Sequence, residues 1–345
     1  MNKLAKRTAG VFGRIGFFSA YGSIRSRLCE CQAVIISYHR IDSAAHYPWS
    51  ITPVSPDVFD LEMRYLREKC HVLSLDELAY SLENSSELPK NAAVITIDDG
   101  YKDIYLHAYP FLKKYGLPAT VFLATGSIDT ATPFWPDRVG YALWNTGLDM
   151  LDLDEMGVWR LPSGGERSTS IGNILARLKL FPRQKRDELI ERLVARAGVE
   201  IPSTLGRELV LSWDEIREMS RGGISFGAHT VNHPILSRET LETARKEILD
   251  SKRRIEHETG HEVSTFCYPN GESGDYNADI ERILKTNGFN CAVTLVPSGF
   301  VSAETPLFRL LRVTGASDFA TFKALTSGFY LDLAAVLGRA RSNDT

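Results

Sequence analysis

Two adjacent carboxylates, Asp98 and Asp99, stand between a β-branched run, Val94-Ile95-Thr96-Ile97, and Gly100. Burying neighbouring carboxylates is costly unless a cation or hydrogen-bond donors compensate. A metal ion that takes one and leaves the other free does so. Further along, Gly227-Ala228-His229-Thr230-Val231-Asn232-His233-Pro234 carries two histidines four apart, again behind an apolar run, Ile224-Ser225-Phe226. That spacing puts both imidazoles on one face of a helical turn, within reach of one ion. One aspartate and two histidines supply three ligands and leave positions open, as a catalytic site requires. Each motif alone has a plainer reading: a turn whose aspartates face water, and a chance His-x-x-x-His on a helix surface. Their shared context lifts both, because ligands and metals collect at the C-terminal ends of strands in α/β folds.

The elements that must position these residues follow a strand–helix rhythm. Ala33 to Tyr38 reads as the first strand and delivers His39 and Arg40. Ser55-Pro56 starts a helix with Phe59, Met63, Leu66 and Cys70 on its inner face. Ser74-x-x-Glu77 and Ser212-x-x-Glu215 are capping boxes that open two more. A helix over 103–115, kinked near Pro110, separates the Asp98 strand from Ala119 to Leu123. Further strands are expected over 263–268, 291–294 and 308–313. A long helix opens at Ser237, with Leu241, Ala244, Ile248 and Ile255 inward. Glu247, Asp250, Lys252, Arg253 and Arg254 then form its solvated side. Such alternation implies parallel strands and right-handed crossovers, hence an α/β barrel over 33–126 and 212–316.

Residues 127–211 break the rhythm. Leu148 to Ser170 has no sustained period, and Ile171 to Ala197 is amphipathic and helical. We read 127–211 as a largely helical insertion over the open end of the barrel, a substrate-selecting lid or a buttress. Residues 317–345 are read as a closing helix and a tail.

The chain of 345 residues is long enough for one large α/β domain with such an insertion. A net charge of −3 offers no case for nucleic-acid binding, and no run approaches the roughly 18 apolar residues of a membrane span. Cys29, Cys31, Cys70, Cys267 and Cys291 are odd in number and scattered, which argues against a disulfide framework and for a reducing compartment. Segment 1–32 interleaves Lys3, Lys6, Arg7, Arg14, Arg25 and Arg27 with Phe12, Ile15, Phe17 and Phe18. Arg14 interrupts its apolar part, so an ordinary signal peptide is not expected. Such a segment suits peripheral contact with an anionic membrane surface; packing across the barrel edge is the alternative. A cytoplasmic setting, at the inner face of the membrane, is the resulting expectation.

Thr96-Ile97-Asp98-Asp99-Gly100 and His229-Thr230-Val231-Asn232-His233 resemble the first two motifs of the polysaccharide deacetylase family, the NodB-homology carbohydrate esterases that include chitin and chitooligosaccharide deacetylases. Phe266-Cys267-Tyr268-Pro269-Asn270-Gly271 resembles a third. The resemblance implies an irregular barrel of about seven β/α units, the number of strands the periodicity gives. It implies that Asp99, His229 and His233 bind Zn²⁺ or another divalent transition metal and that Asp98 is the general base. The attacked group is then the N-acetyl carbonyl of a glycan, polymeric, oligomeric or lipid-linked. Its oxyanion is stabilised by backbone N–H groups near Tyr268, with Asn270 of the same segment counted among the substrate contacts. Phe134-Trp135-Pro136-Asp137-Arg138 is similar to a run beside the sugar groove of some relatives, which makes Trp135 a groove residue; a hydrophobic plug is the plainer reading.

Two departures qualify the mechanism. Many relatives hold the base with an arginine in the third motif, and 266–269 has none. Arg312, in a segment resembling a late Leu-Pro-Arg-Ile run, is expected to substitute, with Arg309 the alternative. The late Leu-x-His that supplies a general acid in relatives is also missing, since no histidine follows His261. His39, in a Tyr-His pair shared with similar opening strands, is then a candidate acid or a wall residue. An O-deacetylating esterase and a silent sugar-binding scaffold are the competing functions.

Overall fold

The computed structural model describes residues 32–50, 53–297, 300–316 and 318–329, with the isolated positions 17, 18, 21, 22, 25 and 332. Cys29, Cys31 and most of the basic segment lie outside them, and so does most of the expected membrane-surface contact. Where that segment is described, Phe17 and Phe18 pack edge-on against Phe329, and Arg25 pairs with Asp332 at 2.8 Å. These aromatic rings therefore face the protein.

In chain order the first strands are β1 (Ala33–Tyr38), β2 (His71–Leu73), β3 (Ala92–Ile97) and β4 (Thr120–Leu123). The hairpin β5 (Met150–Asp152) and β6 (Val158–Arg160) follows. The rest are β7 (Ser225–Ala228), β8 (Thr265–Cys267), β9 (Cys291–Pro297), β10 (Phe300–Val301) and β11 (Leu310–Thr314). Seven of them close a parallel ring: β1 pairs with β3, then β4, β7, β8, β9 and β11 follow, and β11 returns to β1. The expected irregular barrel of seven parallel strands is what forms. The irregularity has two sources. β2 and antiparallel β10 lie beside only the first halves of β3 and β1. The β9–β11 register also slips between Leu310 and Arg312.

Side chains alternate across a strand, so every second residue faces the barrel interior. Ile35, Val94, Phe122, Cys267, Val293 and Leu310 fill that interior as one buried cluster, closed from below by Leu75, Leu78 and Leu82 of the helix Leu75–Glu83. Two residues further along the same strands the inward positions turn polar, with Thr96 and Arg312; the next step reaches His39, Asp98 and His229. One period-2 pattern thus builds an apolar floor and a polar mouth. Gly227 lies on this inward row because Phe122 fills the space: a Cβ there would sit 2.5 Å from the Phe122 ring and 2.6 Å from Thr265 Oγ1. Gly227→Ala is therefore expected to cost about 1–3 kcal/mol through overpacking, readable as a lower urea midpoint at unchanged slope.

The Ser74 and Ser212 capping boxes form as expected. Four local expectations are corrected. The 103–115 helix is a π-helical turn, Ile104–Ala108, continued by the helix Tyr109–Tyr115, with Pro110 in the first turn, where its missing N–H does no harm. The long helix is Leu241–Thr259, capped by Thr240 rather than opened at Ser237. Leu148 to Ser170 is not irregular, because it holds the β5–β6 hairpin and the start of a helix. The 171–197 stretch is two helices, Gly165–Leu178 and Arg183–Ala197, parted at Pro182. With the helix Trp135–Asn145 they bury a separate core around Leu143, Leu161, Ile174, Leu178, Ile190 and Leu193. Among the described residues, no helix is long and apolar enough to cross a membrane.

Candidate metal centre and active site

β3 hands its chain to the site through two unusual peptides. Asp98 N–H still bonds Tyr38 O at 2.9 Å, continuing the β1–β3 ladder. Asp99 then turns left-handed (φ 73°), and Gly100 follows at φ 86°. The turn sends the two carboxylates in different directions. Left-handed backbone at a non-glycine residue costs about 1 kcal/mol or more and persists only where surroundings enforce it.

The histidine loop is built the same way, and not as the helical turn expected from the four-residue spacing. Past β7 the chain is irregular, with Thr230 at φ 68° and His233 at φ 51°. The loop is clamped by Glu247 of the long helix. Glu247 is buried, and its carboxylate accepts from Val231 N–H (3.0 Å), Asn232 N–H (2.8 Å) and Asn232 Nδ2 (2.7 Å). The reading of Glu247 as part of a solvated side is thus overturned. The helix sits close enough for its glutamate to receive three loop donors that would otherwise be buried unpaired.

These two turns bring three ligand atoms together. His229 Nε2 lies 3.4 Å and His233 Nε2 3.5 Å from Asp99 Oδ1, and the two nitrogens are 3.1 Å apart. His229 donates Nδ1–H to Cys267 O at 2.7 Å, which turns Nε2 toward Asp99. Burial would lower its imidazole, but Cys267, Asp99 and Asp98 outweigh this and raise it well above the ordinary histidine value. Burial and the adjacent His229 push the His233 imidazole down to about 3, so of the two rings His233 is the neutral one near pH 7. Burial alone would raise the Asp99 carboxyl; the hydrogen bond from His229, with smaller help from the neighbouring His233 and His39, holds it below the usual range instead. Two imidazole nitrogens and a carboxylate oxygen converging at this distance need a cation among them, a proton on His229 or a metal ion in its place. Tetrahedral coordination with bonds of about 2.0–2.1 Å places ligand atoms about 3.3 Å apart, so the group fits a metal ion.

Asp98 lies beside this group, within 4.8 Å of His229 and Cys267 ligand atoms, but is held separately. Arg312 grips it with two parallel bonds, Nη1 to Oδ1 at 2.8 Å and Nη2 to Oδ2 at 2.7 Å. Both groups are almost fully buried. Arg312 also donates Nε–H to Thr294 O (2.8 Å) and Nη1–H to Thr96 Oγ1 (3.1 Å), and Nη2 lies 3.2 Å from Cys267 Sγ. Cys267 belongs to the third motif, and its small side chain leaves room for a guanidinium arriving from β11. Arg309, the alternative partner, turns outward to Glu281 at 2.6 Å. Burial by itself would raise the Asp98 carboxyl; Arg312 overrides this, with smaller help from His39 and His229, and holds it below the ordinary carboxylate range. His39 lies on the same side, its Nε2 3.6 Å from Asp98 Oδ2.

The remaining expected contacts divide. Tyr268 does not offer its ring to the mouth. It is buried, stacked on Tyr276 at 4.2 Å, and its hydroxyl donates to Phe308 O at 3.0 Å. Its own N–H goes to Val293 O at 3.3 Å, so the adjoining segment must supply any oxyanion donor. Asn270, left-handed at φ 62°, stands at the mouth, accepting from Lys179 and donating to Asp275. Trp135 starts the first helix of the insertion, under the Arg186 guanidinium (4.6 Å), and lines a cleft of about 220 Å³ with Arg138, Arg183, Arg186 and Asn232. Its indole N–H is buried without a partner among the described residues. Arg186 also reaches His233 O at 3.4 Å, so the insertion touches the histidine loop directly.

A parallel barrel whose mouth carries a buried Asp/His/His cluster beside a separately held carboxylate defines a hydrolase of the (β/α)-barrel type. The chain belongs to the polysaccharide deacetylase family: that family's sequence profile matches residues 85–292, more than half of the chain. YxkH of Bacillus subtilis, named for the same family, is 22% identical over 280 residues, 81% of this chain and 70% of its own. The poly-β-1,6-N-acetyl-D-glucosamine N-deacetylase of Staphylococcus aureus is 32% identical over 111 residues, 29% of this chain and 38% of that enzyme. Among solved structures, the Streptococcus pyogenes deacetylase PplD in complex with acetate superposes with a TM-score of 0.58 at 23% identity, covering 87% of this chain and 99% of that one. IcaB from Ammonifex degensii gives 0.56 at 18%, covering 86% and 97%. These superpositions bear on the fold. The protein is thus a hydrolase of the polysaccharide deacetylase class.

Proposed function

We propose that the chain is a zinc-dependent N-deacetylase of a glycan containing N-acetylhexosamine. The observation that carries this is the division of labour between adjacent aspartates. Asp99 Oδ1 meets His229 and His233, while both oxygens of Asp98, a residue within 4.8 Å of His229 and Cys267 ligand atoms, are taken by Arg312 at 2.7–2.8 Å. Two imidazoles and one carboxylate suit zinc among the available divalent ions. When bound, the ion supplies a Lewis acid for the carbonyl and acidifies the attacking water.

The rest of the chemistry falls to side chains of this chain. Asp98, ionised at neutral pH, accepts the proton of the attacking water. Arg312 fixes its orientation and keeps it charged. His39 forms the wall on the base's side. Asn270 and Trp135 border the space in which the sugar lies. The match to the S. aureus enzyme supports an N-acetylglucosamine polymer or oligomer as substrate, over the stretch the two share.

The test is acetate release from N-acetylglucosamine oligomers by the full chain. Chelation is expected to lower turnover at least about 100-fold, the equivalent of losing several kcal/mol of transition-state stabilisation, and zinc to restore it. Acetate release indifferent to chelator would overturn the metal. Acetate from O-acetylated but not N-acetylated oligomers would replace the amide by an ester.

A further inference from the structure

An amine leaves a tetrahedral intermediate only when its nitrogen receives a proton, and the chemistry above provides no donor. No histidine follows His261. His39 stands beside the base, 3.6 Å from Asp98 Oδ2. Where the insertion meets the barrel mouth there is another group. Lys179 follows directly on the helix Gly165–Leu178, and its Nζ donates to Asn270 Oδ1 at 2.5 Å. Lys179 is largely enclosed, yet it makes no ion pair among the described residues. Asp275, Glu272 and Asp99 are the carboxylates near enough to act on it, and its own charge is felt at His233. A cation so placed, fixed through a neutral amide and within electrostatic range of the Asp99–His233 pair, is not part of a surface salt bridge.

We propose that Lys179 is the proton donor to the leaving amine, an assignment that rests on the reading of the enzyme as an amidase. The steps balance as follows. Water oxygen bonds to the acetyl carbon, and Asp98 takes the released proton. The C–N bond then breaks, and the nitrogen keeps the electron pair and takes a proton from the Lys179 ammonium. Acetic acid and the amine leave, and the acid's remaining proton passes to the amine, giving acetate and an ammonium group. Lys179, now neutral, is recharged by the proton Asp98 surrenders to solvent. Burial pushes the Lys179 amine below the ordinary lysine range, closer to neutrality, where a general acid works best. The insertion then has a chemical role: closing over the mouth, it delivers a group that the barrel strands lack.

The experiment compares wild type, Lys179→Met and Lys179→Arg as full chains, on N-acetylglucosamine oligomers and on 4-nitrophenyl acetate, whose phenolate leaves without a proton. For Lys179→Met, kcat on the oligomer is expected to fall about 10²–10⁴-fold with KM little changed. Ester hydrolysis is expected to stay within about twofold, and bound metal to match wild type, since no bond to Asp99, His229 or His233 is removed. Lys179→Arg keeps the charge but holds its proton, and is expected to stay impaired on the oligomer. Equal loss on both substrates would overturn the proposal, as would a higher KM at unchanged kcat or full amide activity. If wild type hydrolyses the ester but releases no acetate from any oligomer, the amidase reading fails and this assignment falls with it.

Discussion

Asp98→Asn is expected to reduce kcat for acetate release by about 10²–10⁴-fold while bound zinc stays at the wild-type level. The two halves of that result separate base from ligand. Asparagine keeps the shape of aspartate but cannot accept a proton at neutral pH. Both Asp98 oxygens are turned to Arg312, while the oxygen that meets His229 and His233 belongs to Asp99. Asp99→Ala is expected to give the opposite pattern, with metal lost first and activity in consequence. Metal content by atomic absorption, with kcat and KM on one oligomer, distinguishes them. An Asp98→Asn protein that loses its metal would show that both aspartates are ligands, and the separation of roles argued here would fall.

The sequence makes the centre of this site readable and leaves its supports hidden. Asp98, Asp99, His229 and His233 each follow a short apolar run, so strand ends predict their convergence before any contact is known. The four-residue histidine spacing points to the right residues for the wrong reason. Thr230 and His233 are left-handed, and a loop, not a helix, brings the rings within 3.1 Å. Glu247 was invisible because a charged residue among Lys246, Asp250 and Arg253 looks like the wet side of a helix. Only the packing of that helix on the histidine loop buries it. In sequence Arg312 is preferred over Arg309 only by its resemblance to a late Leu-Pro-Arg-Ile run. The register slip between Leu310 and Arg312 belongs to the strand pairing, and in the folded barrel Arg312 reaches inward to Asp98 while Arg309 turns outward to Glu281. Lys179 had no local signature, because how an insertion docks on its barrel is fixed by contacts far apart in the chain.

Arg312→Met is expected to lower stability by about 3–5 kcal/mol near pH 7, measured by denaturant unfolding with chelator present so that metal binding does not mask the change. Methionine fills much of the same volume, so the loss comes from leaving Asp98 charged and unpaired beneath the mouth. Its sign with pH follows from Asp98. Its folded pKa is depressed in wild type, so the pair's contribution is fully present above the unfolded carboxyl value of about 3.9 and is lost as pH falls through the folded value. In the variant the unpaired carboxyl is buried without its cation, and its pKa moves above the unfolded value, so stability is lost as pH rises. The first effect widens the gap between the two proteins as pH rises toward about 4, and the second widens it further above that. Pairing Arg312→Met with Asp98→Asn then removes the stranded charge and is expected to recover part of the loss, a coupling that a double-mutant cycle reads directly. A gap of equal size at pH 3 and pH 7, with no recovery in the double variant, would mean that Arg312 acts by filling space among Thr96, Cys267 and Thr294. The grip on Asp98 would then be incidental to the fold, and its only remaining purpose would be to hold the base.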